Sequence, residues 1–341
     1  MLSYRKLAMR VLGRPLHTGG GNDSPRPASQ RAAAFVLTAA LLTGAAFPAF
    51  AGTYYIEDGD IVISAGTEAG TNKVEQTGKD TVDNDKDTVI TNHDKDTASS
   101  NTVTIEAKDK DDKVEVTLKD VNIDASSGSE AAVSVTGKGN TNIELDGDNE
   151  LKSGAGHAGL EHNKTDTSGE LTIQDKDKNG SLEAVGGFKG AGIGSAGSND
   201  AQVKITGGNI TATSDDWGAG IGSGSDGTAY VEITGGEINA TGGYLGAGIG
   251  GGCNGSGNVT ISGGGITAAG GEGAAGIGGG YYNGATVTIT GDAVIKNASN
   301  TKYGAGIGGG YGYDGDVTIS GNAKIENATG GYGAAGIGGG A

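Results

Sequence analysis

The sequence predicts an all-β protein, a right-handed three-sided parallel β-helix. Glycine accounts for 70 of 341 residues and aromatic residues for only 5%, so large side chains are too few for an ordinary globular core. The block Gly-Ala-Gly-Ile-Gly or Ala-Ala-Gly-Ile-Gly recurs in steps of 28, 28, 28, 30 and 30 residues, with its isoleucine at Ile193, Ile221, Ile249, Ile277, Ile307 and Ile337. A fixed period of this length is typical of a solenoid, in which each repeat packs against its neighbours.

Each repeat contains three short segments in which apolar and polar residues alternate. A Val-x-Ile segment begins ten residues after each of the first five block isoleucines, and a third apolar position follows it. Alternation places every second side chain on one face of a strand. Three strands of about five residues with three turns therefore form one coil, and coils stack about 4.8 Å apart. The side chains predicted to point inward are Ala191, Ile193, Val203, Ile205 and Ile210.

Residues 1–51 have the pattern of a signal peptide with a long basic region. Residues 1–31 contain six Arg and Lys and a single acidic residue, Asp23, and an apolar run from Ala32 to Phe47 follows them. The run is followed by Pro-Ala-Phe-Ala, a small-x-small cleavage pattern. We therefore expect cleavage after Ala51 and a mature chain that is secreted or held at the cell surface. A membrane anchor is the alternative, although the run is shorter than the roughly 20 residues of a bilayer span.

The chain after Ala51 is strongly acidic. The whole sequence holds 41 Asp and Glu against 24 Lys and Arg; setting aside Asp23 and the six basic residues of the leader leaves 40 against 18, a formal net charge of −22. Nucleic acid is excluded as an expected partner, because phosphate binding needs a basic surface. Cys253 is the only cysteine, so no intrachain disulfide can form.

Regularity increases along the mature chain. Residues 52–113 predict irregular acidic coils and loops, residues 114–183 predict less regular coils, and residues 184–341 predict regular glycine-rich coils. The sequence stops in mid-coil at Ala341, without the polar cap that a solenoid needs. One expectation is therefore that the chain is truncated and part of a longer polypeptide.

Several segments resemble a known group of proteins. The chain contains Val-Asn-Ile-Asp-Ala from Val121, Leu-Asp-Gly-Asp-Asn-Glu-Leu from Leu145, Leu-Thr-Ile from Leu171 and Gly-Ser-Leu-Glu-Ala from Gly180, followed by the glycine blocks. Over residues 114–341 this series resembles bacterial secreted and cell-surface parallel β-helix repeat proteins, which carry a carbohydrate-binding-domain label and a fold like that of the pectate lyases. The resemblance implies a surface location and a polysaccharide or host-cell glycan as partner. With the export signal, it predicts a structural stalk or adhesin-like role.

A polysaccharide lyase is the alternative function. The resemblance implies that such enzymes use acidic Ca²⁺ clusters and a basic residue, often arginine, that abstracts a proton, but every arginine precedes residue 52. His157 and His162 flank Glu161, an arrangement more typical of a polar turn than of an acid–base pair. We therefore expect no enzymatic activity and assign no catalytic residue. The basic residues after Glu183 do not fall beside recurring carboxylates: Lys189, Lys204, Lys296, Lys302 and Lys324.

One acidic turn matches the first half of an EF-hand calcium loop. Asp175, Asp177 and Asn179 supply oxygen atoms at alternate positions, and Gly180 follows. Position twelve of the loop would be Gly186 instead of the bidentate glutamate. A weak Ca²⁺ site and a plain Asp-rich turn both remain open, and no other cofactor is expected.

Aromatic residues recur at one corner of the coil. Counting back four or five residues from each block isoleucine gives an aromatic residue in five of six coils, and Glu272 in the other: Phe188, Trp217, Tyr244, Tyr303 and Tyr332. Flat rings in a row suit stacking on sugars, and they equally suit ring–ring contact between neighbouring turns. Both interpretations remain open. Tyr281, Tyr282, Tyr311 and Tyr313, on the far side of the glycine block, extend the same predicted surface.

Overall fold

A computed structural model describes residues 52–341, and the predicted signal peptide lies outside these residues. Strands form three parallel ladders, here named sheets A, B and C, and in each coil the chain passes from A to C to B. The only helical element among the described residues is a 3-10 turn at Ile56–Asp58. The predicted all-β solenoid is thereby confirmed. Within residues 52–341, no helix has the length and apolar character needed to cross a bilayer.

Sheet A is the ladder that contains the Val-x-Ile segments. Its strands pair in parallel along the whole solenoid. They are Thr53–Tyr55, Thr88–Thr91, Lys113–Lys119, the first half of Asn140–Lys152, Leu171–Gln174, Asp200–Ile205, Ala229–Ile233, Gly257–Ile261, Ala285–Ile289 and Gly315–Ile319.

Sheet C follows sheet A after a tight corner. Its strands are Asn122–Asp124, the second half of Asn140–Lys152, Gly180–Gly186, Asn209–Ser214, Glu237–Thr241, Gly265–Ala269, Val294–Ser299, Lys324–Ile325 and Ala328–Thr329.

Sheet B contains the glycine blocks and changes character along the chain. Its early strands have five residues, whereas every strand after Leu160–Lys164 has two. They are Ile61–Ala65, Val103–Ala107, Val133–Gly137, Leu160–Lys164, Ile193–Gly194, Ile221–Gly222, Ile249–Gly250, Ile277–Gly278, Ile307–Gly308 and Ile337–Gly338.

One continuous apolar core runs between the three sheets. The side chains predicted to point inward are buried, with at most 1% of their surface exposed. In the parallel register, Ile193 faces Ile221 in the next coil and Val203 faces Val231. Stacking of identical side chains therefore buries apolar surface that a single coil would leave in water.

The coils continue upstream of Val114. Thr53–Tyr55 pairs in parallel with Thr88–Thr91, and Ile61–Ala65 pairs with Val103–Ala107. Antiparallel strands Asn72–Gln76 and Val82–Asp85 are inserted between these coils. This insertion accounts for the loss of sequence period in residues 52–113.

The longer coils place one extra residue at the corner between sheets A and C and the other within the sheet C strand. Ile266 lies five residues after Ile261, whereas Ile295 lies six after Ile289. The pairing then shifts by one residue between Ile266 and Thr267, which leaves Lys296 without a partner in that ladder. The distance along the chain from sheet C to the next block isoleucine is the same in coils of both lengths.

Candidate functional site: an aromatic edge beside the glycine blocks

The glycine blocks are buried. Strand alternation places their Ala and Ile toward the core and their glycines outward; the Ala and Ile are buried as predicted, but the glycines do not form a bare outer face. Gly220 is buried together with Ala219 and Ile221. A Cβ atom at Gly220 would lie 2.7 Å from the Gly248 carbonyl oxygen and from the Thr241 amide nitrogen. Alternation fails at Gly220 because it packs against backbone of the next coil and of sheet C. The strand that follows it has only two residues, and one loop leads into that strand while another leads out of it.

Those two loops are joined by a regular series of backbone hydrogen bonds. The incoming loop leads from sheet C to sheet B, and the outgoing loop leads from sheet B to sheet A. In each coil an outgoing N–H donates to a carbonyl of the preceding coil's incoming loop, at 2.7 to 3.1 Å. We call this series the loop ladder: Ser225 to Lys189, Cys253 to Trp217, Tyr281 to Leu245, Tyr311 to Gly273 and Ala341 to Tyr303.

Phe188 and Trp217 form the first aromatic contact on these loops. Their ring centroids are 5.2 Å apart and their planes are tilted by 49°. The Lys189 ammonium lies 4.9 Å from the Trp217 ring centroid and 5.6 Å from that of Phe188. Phe188 is 41% exposed, and Trp217 is partly buried. The pair therefore offers apolar ring surface to solvent with a cation held against it.

Four tyrosines form a second contact group, here named the tyrosine cluster. The Tyr281 and Tyr311 rings stack with centroids 5.8 Å apart and planes at 11°. Tyr282 lies 5.7 Å from Tyr311, and Tyr303 lies 5.3 Å from it. The Tyr281 hydroxyl donates to the Tyr282 hydroxyl at 3.0 Å, and this hydrogen bond, followed by burial, raises the pKa of Tyr281 to about 12. Both loops contribute to this surface.

Tyr244 lies in the incoming loop and contacts a carboxylate instead of another ring. Its interaction with the Glu272 carboxylate raises the pKa of the Tyr244 phenol. Glu272 also pairs with the Lys302 ammonium at 2.7 Å. The Lys302 contact, followed by the Tyr244 contact, lowers the pKa of Glu272.

The predicted aromatic column is therefore only partly assembled. Phe188 contacts Trp217, and Tyr303 joins the tyrosine cluster through Tyr311. Among the described residues Tyr244 and Tyr332 have no ring partner, and Tyr332 is 84% exposed. The rings of both loops together form a surface that we call the aromatic edge: Phe188, Trp217, Tyr244, Tyr281, Tyr282, Tyr303, Tyr311, Tyr313 and Tyr332.

One exposed aromatic residue was missed by the sequence analysis. Tyr230 lies on the outer face of sheet A, between Gln202 and Asn258 of the neighbouring strands. It is 40% exposed, and the Lys164 ammonium lies 5.0 Å from its ring centroid. Tyr230 is an aromatic residue in a row of polar residues, Gln202, Asn258 and Thr286, which occupy the same position on aligned strands. That contrast is the sequence signal that could have revealed it.

In the EF-hand-like turn, the Asp175 carboxylate accepts hydrogen bonds from backbone N–H groups. One carboxylate oxygen of Asp175 accepts the Asn179 N–H, and the other accepts the Gly180 N–H, each at 3.2 Å. The Asn179 side-chain amide donates to Asp146 at 3.1 Å. No cluster of three His, Cys, Asp or Glu suited to a metal ion occurs within residues 52–341. Asp177 has no hydrogen bond that joins it to these residues, and the Ca²⁺ site stays a prediction.

Glu161 forms a buried polar group where sheet B changes character. Its carboxylate accepts hydrogen bonds from the Ala158 N–H at 3.1 Å and the Asn163 amide at 2.9 Å, and it contacts His157 Nδ1 at 2.8 Å. His162 is 2% exposed, and its Nδ1 lies 2.9 Å from the Gln202 carbonyl oxygen. Burial lowers the pKa of His162. These contacts tie the last long strand of sheet B to the first glycine coil.

Comparison with known proteins identifies the repeat. A family model described as a beta helix repeat matches four segments, residues 203–225, 231–253, 259–281 and 317–341. The segments start at a sheet A strand, and the first three end at loop-ladder donors of the outgoing loop, Ser225, Cys253 and Tyr281. With the stacked ladders, the matches define the chain as a parallel β-helix repeat protein. No curated protein and no solved structure shows a significant match to it.

Proposed function

We propose that the chain is an exported structural solenoid, displayed at the cell surface or secreted, whose aromatic edge binds polysaccharide weakly and repeatedly. The observation that carries the proposal is the concentration of rings on one edge. Seven of the ten tyrosines after residue 51, together with Phe188 and Trp217, lie in the loops that flank sheet B. Sugars pack their C–H faces against such rings, so a row of rings suits a long polymer.

The loops hold their rings on a rigid base. The loop ladder joins each outgoing loop to the coil before it by backbone hydrogen bonds. Beneath the loops, the glycines of each block pack directly against neighbouring backbone. From Phe188 to Tyr332 the rings span five coil steps, about 24 Å at the usual strand spacing. A preorganised surface loses little conformational freedom on binding, which favours affinity.

The edge also suits many weak contacts better than one strong contact. Its rings form the Phe188–Trp217 pair and the tyrosine cluster, with Tyr244 and Tyr332 apart from both, so that a polymer would meet several groups of rings in turn. Linked weak contacts on one polymer act together through their effective concentration. A stalk or adhesin-like role with binding along its length follows, and the chain would act as a scaffold instead of an enzyme. Export rests on the signal pattern in residues 1–51.

Pull-down on insoluble cellulose, chitin and mannan tests the proposal. We expect the wild-type protein to be retained on at least one polymer. Trp217→Ala/Tyr244→Ala removes rings of the incoming loop, and Tyr281→Ala/Tyr311→Ala removes rings of the outgoing loop. Each double variant should lower retention about tenfold, since two lost ring contacts of about 0.7 kcal/mol each amount to about 1.4 kcal/mol.

Tyr230→Ala is the matched control, because Tyr230 is exposed to a similar degree on a different sheet. It should be retained like the wild type. Circular dichroism establishes that each variant is folded. Folded double variants that bind as well as the wild type, or a wild type retained on no polymer, would contradict the proposal.

A further inference from the structure

The charges on the loops restrict which polysaccharides the aromatic edge can take. We propose that its carboxylates exclude acidic glycans, so that the site takes polysaccharides without carboxylate or sulfate groups. This inference rests on the proposed function and adds a specificity to it. The carboxylates that determine the specificity belong to the same incoming and outgoing loops as the rings: Asp215, Asp216, Asp226, Glu272 and Asp314.

These carboxylates lie directly beside the rings. Asp215 and Asp216 precede Trp217, and Asp314 follows Tyr313. Asp226 follows the loop-ladder donor Ser225, and its backbone N–H donates to the Cys253 carbonyl at 2.7 Å. Asp215, Asp226 and Asp314 are exposed, and Asp216 is partly buried. A polymer lying on the rings would therefore pass close to several negative charges.

The positive charges on these loops are already engaged. The loops contain two lysines, Lys189 and Lys302. The Lys302 ammonium pairs with Glu272 at 2.7 Å, and the Lys189 ammonium lies over the Phe188 and Trp217 rings. Within the described loops no arginine is present to form the bidentate contacts that carboxylate recognition favours. With five carboxylates against two ammonium groups on these loops, a uronate or sulfate group would meet net repulsion.

The net charge of the mature chain acts in the same direction. It amounts to about −22 by the sequence count, and such a charge repels a polyanion before contact. Both effects weaken at high salt, because the screening length falls from about 10 Å at 0.1 M to about 3 Å at 1 M. Stacking of an uncharged sugar on a ring has no such salt dependence.

The experiment compares each neutral polymer with its own oxidised form, in which a carboxylate replaces the primary alcohol at C6. Cellulose, chitin and mannan, native and oxidised, are used in pull-downs at 0.1 M and 1 M NaCl. We expect the native polymer to be bound at least about tenfold more strongly than its oxidised form at 0.1 M, and the ratio to fall to about twofold at 1 M.

Neutralising substitutions locate the effect. Asp216→Asn/Asp226→Asn/Asp314→Asn should increase binding to the oxidised polymer about fivefold at 0.1 M and leave binding to the native polymer unchanged. Glu237→Gln/Asp292→Asn/Glu326→Gln makes the same change of net charge away from the aromatic edge and should increase binding to the oxidised polymer by less than about twofold. The Asn side chain keeps the acceptor oxygen that Asp226 offers to Asn254 at 3.0 Å.

The two proposals fail in different ways. Native and oxidised polymers bound equally, or the oxidised form bound more strongly, would overturn the exclusion of acidic glycans while leaving glycan binding intact. Equal responses of the two triple variants would overturn the assignment to the loop carboxylates. Retention on no polymer, by the wild type or by either triple variant, would overturn the proposed function and this inference together.

Discussion

The two halves of the solenoid build sheet B in different ways. In the first half its strands have five residues, and their outward positions hold ordinary side chains such as Thr104 and Ser134. In the second half the strands have two residues, and the outward position aligned with Glu161 is Gly194. Removing the side chain lets the loops close over the strand and form the loop ladder. Glycine in these coils therefore lets backbone pack directly against backbone. The loops that result carry the aromatic rings.

A substitution at the outward position of a sheet B strand should lower the free energy of unfolding far more in the second half of the solenoid than in the first. Gly222 has a φ of 139°, and a Cβ there would collide with the Gly250 carbonyl oxygen of the next coil. We expect Gly222→Ala to lower the free energy of unfolding by about 4 kcal/mol, from backbone strain and overpacking together. The measurement is urea denaturation followed by circular dichroism.

Ser134→Ala is the matched substitution in the first half. Ser134 occupies the outward position of a long strand, and its neighbours in the ladder are Thr104 and Glu161. Its replacement should change the unfolding free energy by less than about 0.5 kcal/mol. Equal losses at both positions would show that the halves do not differ in the way described.

The pH dependence of the free energy of unfolding should report on His162, which lies at the junction between the two halves. Burial lowers the pKa of His162 below its ordinary value of 6.5. As the pH falls below 6.5, the unfolded chain takes up a proton that the folded chain does not, so stability falls with decreasing pH by at most about 1.4 kcal/mol per unit. Denaturation midpoints at pH 7.5, 6.0 and 5.0 measure this slope.

His162→Gln removes the titrating group and should flatten the dependence between pH 7.5 and 5.0. Carboxylates with lowered pKa values, such as Glu115, act only at lower pH, since their ordinary value is 4.5. An unchanged slope in the variant would mean that His162 is not responsible.

The smallest expected effect concerns the rings themselves. A double-mutant cycle on Phe188→Ala and Trp217→Ala should give a coupling of about 0.5 to 1.5 kcal/mol, because the two rings are in contact. The same cycle on Trp217 and Tyr244 should give a coupling near zero, since no contact joins them. If both cycles give equal coupling, the aromatic residues form one structural stack, and the sugar-binding interpretation loses its main support.

The sequence predicted the core and the coil but not the loops. Val203 and Ile205 follow the two-residue alternation of a strand, so their inward orientation could be predicted from the sequence alone. The same rule failed at Gly220 because backbone of the next coil and of sheet C occupies the space that an outward side chain would need. The corner position of Trp217 followed from the period, whereas its contact with Phe188 and the separation of Tyr244 depend on side-chain orientations. The contact of Tyr244 with Glu272 arises in the one coil that lacks an aromatic residue at that corner.

The position of the extra residues in the longer coils has a consequence for engineering. One additional residue is absorbed at the corner between sheets A and C, near Asp292, and the other within the sheet C strand, at Lys296. The incoming and outgoing loops keep their lengths, so the spacing of the rings is independent of coil length. The corner at Asp292 is therefore the natural place to graft a foreign peptide or an affinity tag into this solenoid. Whole coils could likewise be added or removed as units, which would lengthen or shorten the row of rings in increments of one strand spacing.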